Sequence, residues 1–458
     1  MRFVSTSALP CCVALASAAL VACAPVPLSA LKPQPAAPVV RPATTFPAAA
    51  PSAIQVVQGP DTPAKVPTVQ AFQDWLHTFS AQAQAAGIDA ATLQTALGTA
   101  QYIPRIVELD RAQPEFNRSI WDYLDVAVSP QRIQRGQDKL RALQVQLAPI
   151  AAHYGVPLEV LFAFWGIESD FGNHVGNFSV IDALATLGFD GRREAWAQRE
   201  LLAALKILQN HDIERSQMVG SWAGAMGQTQ FMPTVFLAEA VDQDGDGRRD
   251  LWGSIPDVMA STANFVVHSG WQAGQPWLVE VQLPADFDYA LADPDTRMAS
   301  ADWARRGVKA IASQDKSNSD SNSNSASLPP LADASILLPA GARGPAFLVG
   351  PNYRAILKYN NATSYAMAVS LLARQLAGEP GVQAAWPRAQ QTLTRSAVRE
   401  LQVALNARGM DVGIADGLMG PNTLRGVRQL QRSLGLPPDG FPTRELLVRV
   451  QTSPAPTP

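Results

Sequence analysis

The chain has 458 residues, 47% of them hydrophobic and 16% charged, with a formal net charge of −3. That length predicts two or three folding units and a sizeable core. The near-neutral balance excludes a basic field for nucleic acid and a long solvating tail of one sign. Cys11, Cys12 and Cys23 are the 3 cysteines, all near the N-terminus. The rest of the chain therefore has no disulfide, thiolate metal site or cysteine nucleophile. His77, His153, His174, His211 and His268 show no His-Glu-x-x-His spacing, which argues against a zinc hydrolase.

In chain order, Arg2 and the apolar run at 13–21 come first. They read as an export signal too short to span a bilayer as a mature helix. The run ends in Leu20-Val21-Ala22-Cys23. This resembles the lipobox of bacterial lipoproteins; the other reading is an ordinary signal peptide cut after a small residue. The lipobox implies removal of 1–22 and acylation of Cys23, with lasting anchorage because each buried methylene adds about 0.8 kcal/mol. Ala24, where an Asp would signal retention, implies the outer membrane and a periplasmic protein. Residues 23–66 are Pro- and Ala-rich with almost no charge and read as a semi-extended tether.

Helical spacing begins at Phe72, Leu76 and Phe79 and returns through 140–151, 160–168, 201–208 and 367–376, while period-two runs are few. A mainly α-helical domain is expected over 67–378. Inside it, 313–327 is a Ser/Asn/Asp run expected to be a disordered surface insertion.

The stretch Leu161-Phe-Ala-Phe-Trp-Gly-Ile-Glu-Ser-Asp-Phe-Gly172 carries the chemistry. On a helix, Leu161, Phe164, Trp165 and Glu168 share one stripe, and Asp170 lies about 200° further round. A lone carboxyl on an apolar face tends to keep its proton near neutrality, which is what protonation of a glycosidic oxygen requires. Alone, such a Glu could equally end a helix in solvent. Ser221-Trp-Ala-Gly-Ala-Met-Gly-Gln-Thr-Gln-Phe-Met-Pro233 follows, and its small residues and amides suit a sugar cleft better than a core.

Next, Asp242, Asp244, Asp246 and Asp250 take the acidic places at the front of an EF-hand loop, with Gly247 at the turn and Arg248 offering only its backbone carbonyl. Gly253 stands where the final Glu belongs, and Asp257 lies four residues beyond it. A structural calcium ion is expected; the alternative is a solvated acidic turn. No organic cofactor is indicated.

Residues 379–391 read as a linker, 392–450 as a compact unit and 451–458 as a tail. In the unit, Asp416-Gly417 and Asp439-Gly440 each lead towards a helix. Val427, Leu430, Gln431 and Leu434 form an amphipathic helix between them, so three helices are expected.

Glu168-Ser-Asp-Phe-Gly172, Gly224-Ala-Met-Gly-Gln-Thr-Gln-Phe-Met-Pro233, Tyr359-Asn-Asn361 and Gln113-Pro-Glu-Phe116 together resemble the lytic murein transglycosylase B family, with its lysozyme-like fold. The resemblance implies that Glu168 is the sole catalytic acid/base and that Ser221 and Gln230 hydrogen-bond around it and the sugar. It implies that Tyr359, Asn360 or Asn361 closes the cleft, and that Arg192 and Arg193 meet the stem peptide, although that pair also reads as a solvated helix start. A similarly lengthened acidic loop occurs in the family. Val398, Leu401, Gln402, Leu405, Gly409, Asp416-Gly417 and Gly420-Pro-Asn-Thr-Leu424 resemble the peptidoglycan-binding domain type 1.

The activity implied is cleavage of the MurNAc–GlcNAc β-1,4 bond of peptidoglycan without water, leaving 1,6-anhydro ends, by a lipid-anchored monomer. The competing readings are a muramidase-type hydrolase, which usually needs a second carboxylate, and a noncatalytic wall-binding lipoprotein.

Overall fold

A computed structural model describes residues 68–112, 118–311 and 325–452. The expected export signal and tether, the Gln113-Pro-Glu-Phe116 motif, 313–324 of the expected insertion and the tail from 453 lie outside the described residues. Ser325 and Ala326, expected inside that insertion, instead pair as a short strand with Lys309–Ile311.

Sixteen α-helices dominate the described residues, in agreement with the helical spacing. The first, Val69–Ala85, starts where the Thr68 hydroxyl accepts the Ala71 N–H, satisfying one of the orphan donors of a helix start. Its Phe72, Leu76 and Phe79 are buried. No single helix among the described residues is long and apolar enough to cross a membrane.

The centre of the domain is the helix Leu158–Ser169. The expected apolar stripe is wider than the spacing indicates, because Val160 to Gly166 are buried on every side. The helix lies inside the domain, packed against Thr363–Leu376, Pro130–Tyr154 and Ile255–His268. Gly166 lets these layers close: a Cβ there would sit 2.7 Å from the Phe171 ring. A helix apolar all round must be wrapped by others. Glu168 therefore stands at the end of a buried rod, and is not one position on an amphipathic face.

The sequence reading did not anticipate a five-stranded antiparallel sheet. Val279–Gln282 is central, flanked by Lys309–Ile311 and Ala346–Val349, with Ser325–Ala326 and Ser335–Leu337 at the edges. It has its own core around Trp303, Phe287 and Leu348. Its strands are two to four residues long, too short for an alternation to register.

The C-terminal unit has helices Arg395–Asn406, Pro421–Ser433 and Arg444–Thr452 around Leu401, Leu405, Val427 and Val450. Its repeated Asp-Gly turns have one physical cause. Gln402 accepts the Gly417 N–H at 2.8 Å and donates to the Asp416 carboxylate at 3.0 Å. Gln431 does the same with Gly440 at 2.8 Å and Asp439 at 2.6 Å.

The stretch at 379–391 is pinned down. Buried Glu280 accepts the N–H groups of Gln383 and Ala384 at 2.9 and 2.8 Å. Arg388 grips Asp125 with both terminal nitrogens, at 2.7 and 2.9 Å. The C-terminal unit also touches the sheet region. Arg428 pairs with Asp293 and donates to Ala292 O at 2.8 Å, and Asp439 accepts the Ala342 N–H at 2.7 Å.

Candidate active site

Glu168 lies in the last turn of the central helix, beside a loop folded back on itself. The hairpin Phe178–Ser179 with Val219–Gly220 leads into that loop, and bridges Gly220–Met226 and Met226–Phe231 close it. Gly176, at φ 93°, permits the approach: any Cβ would fall 2.0 Å from Gly220 O. The loop is tied to the helix by Gln228, whose Oε1 accepts the Trp165 indole N–H at 2.7 Å and whose carbonyl accepts the Ser169 hydroxyl at 2.8 Å. Gln228 Nε2 donates to Trp252 O at 2.7 Å, so one buried amide joins three segments.

Glu168 is partly buried. Desolvation pushes its carboxyl from 4.5 up to about 7, while a hydrogen bond from Tyr365 pulls the other way. The Tyr365 hydroxyl donates to Glu168 Oε1. Burial holds the Tyr365 and Tyr359 hydroxyls well above 10, so both remain protonated donors. Tyr123 also feels the Glu168 charge, after its own burial. Among the described residues no second carboxylate acts on Glu168. Asp170, two residues on, ends the helix at φ 50° and is held by Arg135 at 2.5 Å and Arg132 at 3.4 Å.

The other expected residues fall into two groups. Tyr359 joins the site, with its ring 4.7 Å from Phe164 and its hydroxyl donating to Thr229 O at 2.6 Å. Ser221 and Gln230 lie on the loop beside it, but their hydrogen bonds go to the backbone and not to Glu168. Ser221 Oγ accepts the Ala223 and Ala225 N–H groups at 3.3 and 3.0 Å. Gln230, at φ 51°, donates to Gly227 O at 2.9 Å and Val175 O at 3.1 Å. A non-glycine residue held in the left-handed region marks a loop whose shape is enforced by its surroundings. Asn360 and Asn361 are exposed after the helix Pro351–Tyr359. Arg192 and Arg193 both pair with buried Asp110, at 2.6 and 3.0 Å, so much of their charge is already matched. Sequence reasoning missed Tyr365, Tyr123 and Gln228. Tyr365 did leave a signal, as the lone aromatic of the helix Thr363–Leu376 that packs against the helix of Glu168.

Of the expected metal ligands, Asp242, Asp244 and Asp257 offer carboxylate oxygens within 4.8 Å of one another. Asp246 and Asp250 are not in that group: they accept the backbone N–H groups of Arg248, and of Trp252 and Gly253. Such turns order the loop around the central three. Asp257 is fully buried, which pushes its carboxyl up. A divalent cation would relieve three converging carboxylates, one of them desolvated. The all-oxygen donor set fits a hard ion such as calcium.

Comparison with known proteins matches these features. Residues 71–374 match the family described as transglycosylase SLT domain, and 394–449 match a peptidoglycan binding domain family. Membrane-bound lytic murein transglycosylase B of Escherichia coli is 30% identical over 315 residues, covering 64% of this chain and 79% of that protein. The crystal structure of SltB3 from Pseudomonas aeruginosa, in complex with NAG-anhNAM-pentapeptide, is similar with a TM-score of 0.79 and 48% identity. That match covers 84% of this chain and 100% of the other. Escherichia coli Slt35 in complex with calcium matches with a TM-score of 0.53 at 28% identity, over 67% of this chain and 92% of that one.

Proposed function

The chain belongs to the transglycosylase SLT domain family and is a lytic transglycosylase of peptidoglycan; on that premise we propose that Glu168 alone performs its proton transfers. As the acid, Glu168 gives its proton to the glycosidic oxygen between MurNAc and GlcNAc, and the C1–O bond breaks. As the carboxylate, it then takes the proton from the 6-hydroxyl of the same MurNAc, whose oxygen closes on C1. The proton returns to Glu168, no water enters, and the product carries a 1,6-anhydro end.

The reading rests on one observation: a desolvated carboxyl poised near 7, with a tyrosine donor and, among the described residues, no second carboxylate acting on it. Tyr365 favours the carboxylate form and Tyr359 walls the cleft. We propose that Ser221, Gln230, Asn360 and Asn361 meet sugar, and that Arg192 and Arg193 face the stem peptide from the Asp110 pair. A general acid works best with its pKa near the working pH. Turnover of soluble fragments should therefore fall as pH rises through about 7, close to tenfold per unit above it. A rate that instead climbs steadily to alkaline pH would remove Glu168 as the acid.

Residues 67–378 would form the catalytic domain and 392–450 the wall-binding unit, linked by 379–391. Cys23 would carry the lipid that anchors the protein to the outer membrane from the periplasmic side. Cys23→Ala should then move the protein from the membrane to the soluble fraction, and a variant still wholly membrane-bound on fractionation would contradict the anchor. Asp242, Asp244 and Asp257 would hold calcium, and the Slt35 complex supports that ion. A ligand at a hundredfold its dissociation constant stabilises a fold by about 2.7 kcal/mol. Calcium should accordingly raise the thermal midpoint by about 4 °C for a domain of this size, and Asp244→Asn should abolish the rise. Identical melting curves with calcium and with chelator would remove the site.

A further inference from the structure

A cavity of about 350 Å³ opens between the acidic loop and the turn that follows the helix Glu194–Gln209. That volume lies within the roughly 300–1,000 Å³ of small-molecule sites. Asp212, Ile213 and Gln217 form one wall, and Arg248, Asp250 and Trp252 form the other. The charges of these walls cancel. Buried Asp212 holds Arg249 through both oxygens, at 2.9 and 2.6 Å, which leaves Asp250 and Arg248 as one anion and one cation. Asp250 Oδ1 already accepts the N–H groups of Trp252 and Gly253, both at 2.8 Å. Among the described residues, the Arg248 guanidinium and the Gln217 side-chain amide make no hydrogen bond or ion pair, and both residues are exposed. Half-buried Trp252 gives its indole N–H to Val219 O at 2.9 Å, so its ring is what remains to meet a ligand.

We propose that this cavity of the catalytic domain is a second saccharide subsite, which takes an uncharged N-acetylated sugar away from the scissile bond. The pyranose lays its C–H face on the Trp252 ring. Its hydroxyl or acetamido oxygens accept from Arg248, and the Gln217 amide donates to one group and accepts from another. Balanced walls leave no surplus cation for the carboxylates of a stem peptide, so the uncharged sugar of the glycan is the better fit. The proposal rests on the reading of the chain as a peptidoglycan enzyme. The cavity lies behind the active-site loop and outside the cleft, for Glu168, Tyr359 and Tyr365 do not line it. Its Trp252 wall is what that loop leans on: Leu251 O accepts the Gln228 backbone N–H at 2.7 Å, and Trp252 O accepts Gln228 Nε2 at 2.7 Å. A sugar held here therefore belongs to a neighbouring strand or to a distant stretch of the strand being cut. Engaging it raises the effective concentration of glycan at the cleft.

The test is methyl NMR on the full chain with labelled isoleucines and leucines, calcium present, and Glu168→Gln to prevent turnover. It is titrated separately with tetra-N-acetylchitotetraose and with an L-alanyl-γ-D-glutamyl peptide. Ile213 reports the cavity, and Leu184, packed under Gly224 of the active-site loop, reports the cleft. The saccharide should shift Ile213 with a midpoint of its own, and the peptide should leave Ile213 unmoved. Gln217→Ala should weaken the Ile213 response about fivefold and Arg248→Ala about tenfold. Gln217→Ala, a change at an exposed position, should leave the Leu184 midpoint where it is. A Leu184 response to the saccharide with Ile213 silent would overturn the subsite while the function stands. So would an Ile213 response insensitive to both variants, or one evoked by the peptide alone. Silence of both reporters towards the saccharide would count against the subsite and the function together.

Discussion

Glu168→Gln is expected to fold like the parent and to lose turnover by more than the roughly 10²–10⁴ that a supporting general acid contributes. Gln keeps the shape, and its Oε1 can still accept the Tyr365 hydroxyl, so the end of the central helix is undisturbed. It can neither give nor take a proton, and both chemical steps need that. The same change carries a stability signature. Glu168 titrates near 7 in the fold against 4.5 for the free side chain. Its contribution is therefore fully present below 4.5 and is lost as pH rises through about 7. The variant should match the parent at acidic pH and melt at a higher temperature above neutrality. Parental activity in Glu168→Gln would remove the residue from the mechanism, and a pH-independent difference in melting would contradict the raised carboxyl.

Tyr365→Phe is expected to lower kcat about tenfold to a hundredfold, since a hydrogen bond to a charged group contributes about 1.5–3 kcal/mol. The loss falls on the step in which Glu168 is a carboxylate, because the Tyr365 donor stabilises that form. The sign of the pH effect follows. Tyr365 pulls the Glu168 carboxyl down, so the variant should hold its proton to higher pH and its descending limb should move upward. Substrate affinity should change less than kcat. A limb that stays in place while activity falls would assign Tyr365 to packing alone.

Much of this site was legible in the sequence because its parts are local. The apolar run ending in Glu168, the small-residue loop from Ser221 to Pro233 and the acidic alternation from Asp242 each announce their chemistry within a dozen residues. What escaped depends on distant partners. Tyr365 reaches Glu168 across 197 positions, and Gln228 ties together two helix residues and a loop that no periodicity connects. The stripe Leu161, Phe164 and Trp165 is buried as expected, but the spacing understated the burial of the central helix because a fully wrapped helix and a one-sided helix share these apolar positions. The sheet escaped because its pairings join two- to four-residue segments. The two-versus-three division of the acidic loop also needs coordinates, since Asp246 and Asp250 differ from Asp242 and Asp244 only in where their turns point. In the C-terminal unit, by contrast, the Gln402 and Gln431 clamps explain why the Asp-Gly turns repeat.

Among the described residues no second carboxylate acts on Glu168, and Asp170 is held by Arg132 and Arg135; this separates the account from a hydrolase that must activate water. Digestion of purified sacculi by the wild-type protein in heavy-oxygen water, followed by mass spectrometry of the fragments, tests that directly. The account predicts fragments one water lighter than hydrolytic products, ending in 1,6-anhydroMurNAc and free of label. Reducing ends carrying the heavy oxygen would contradict it.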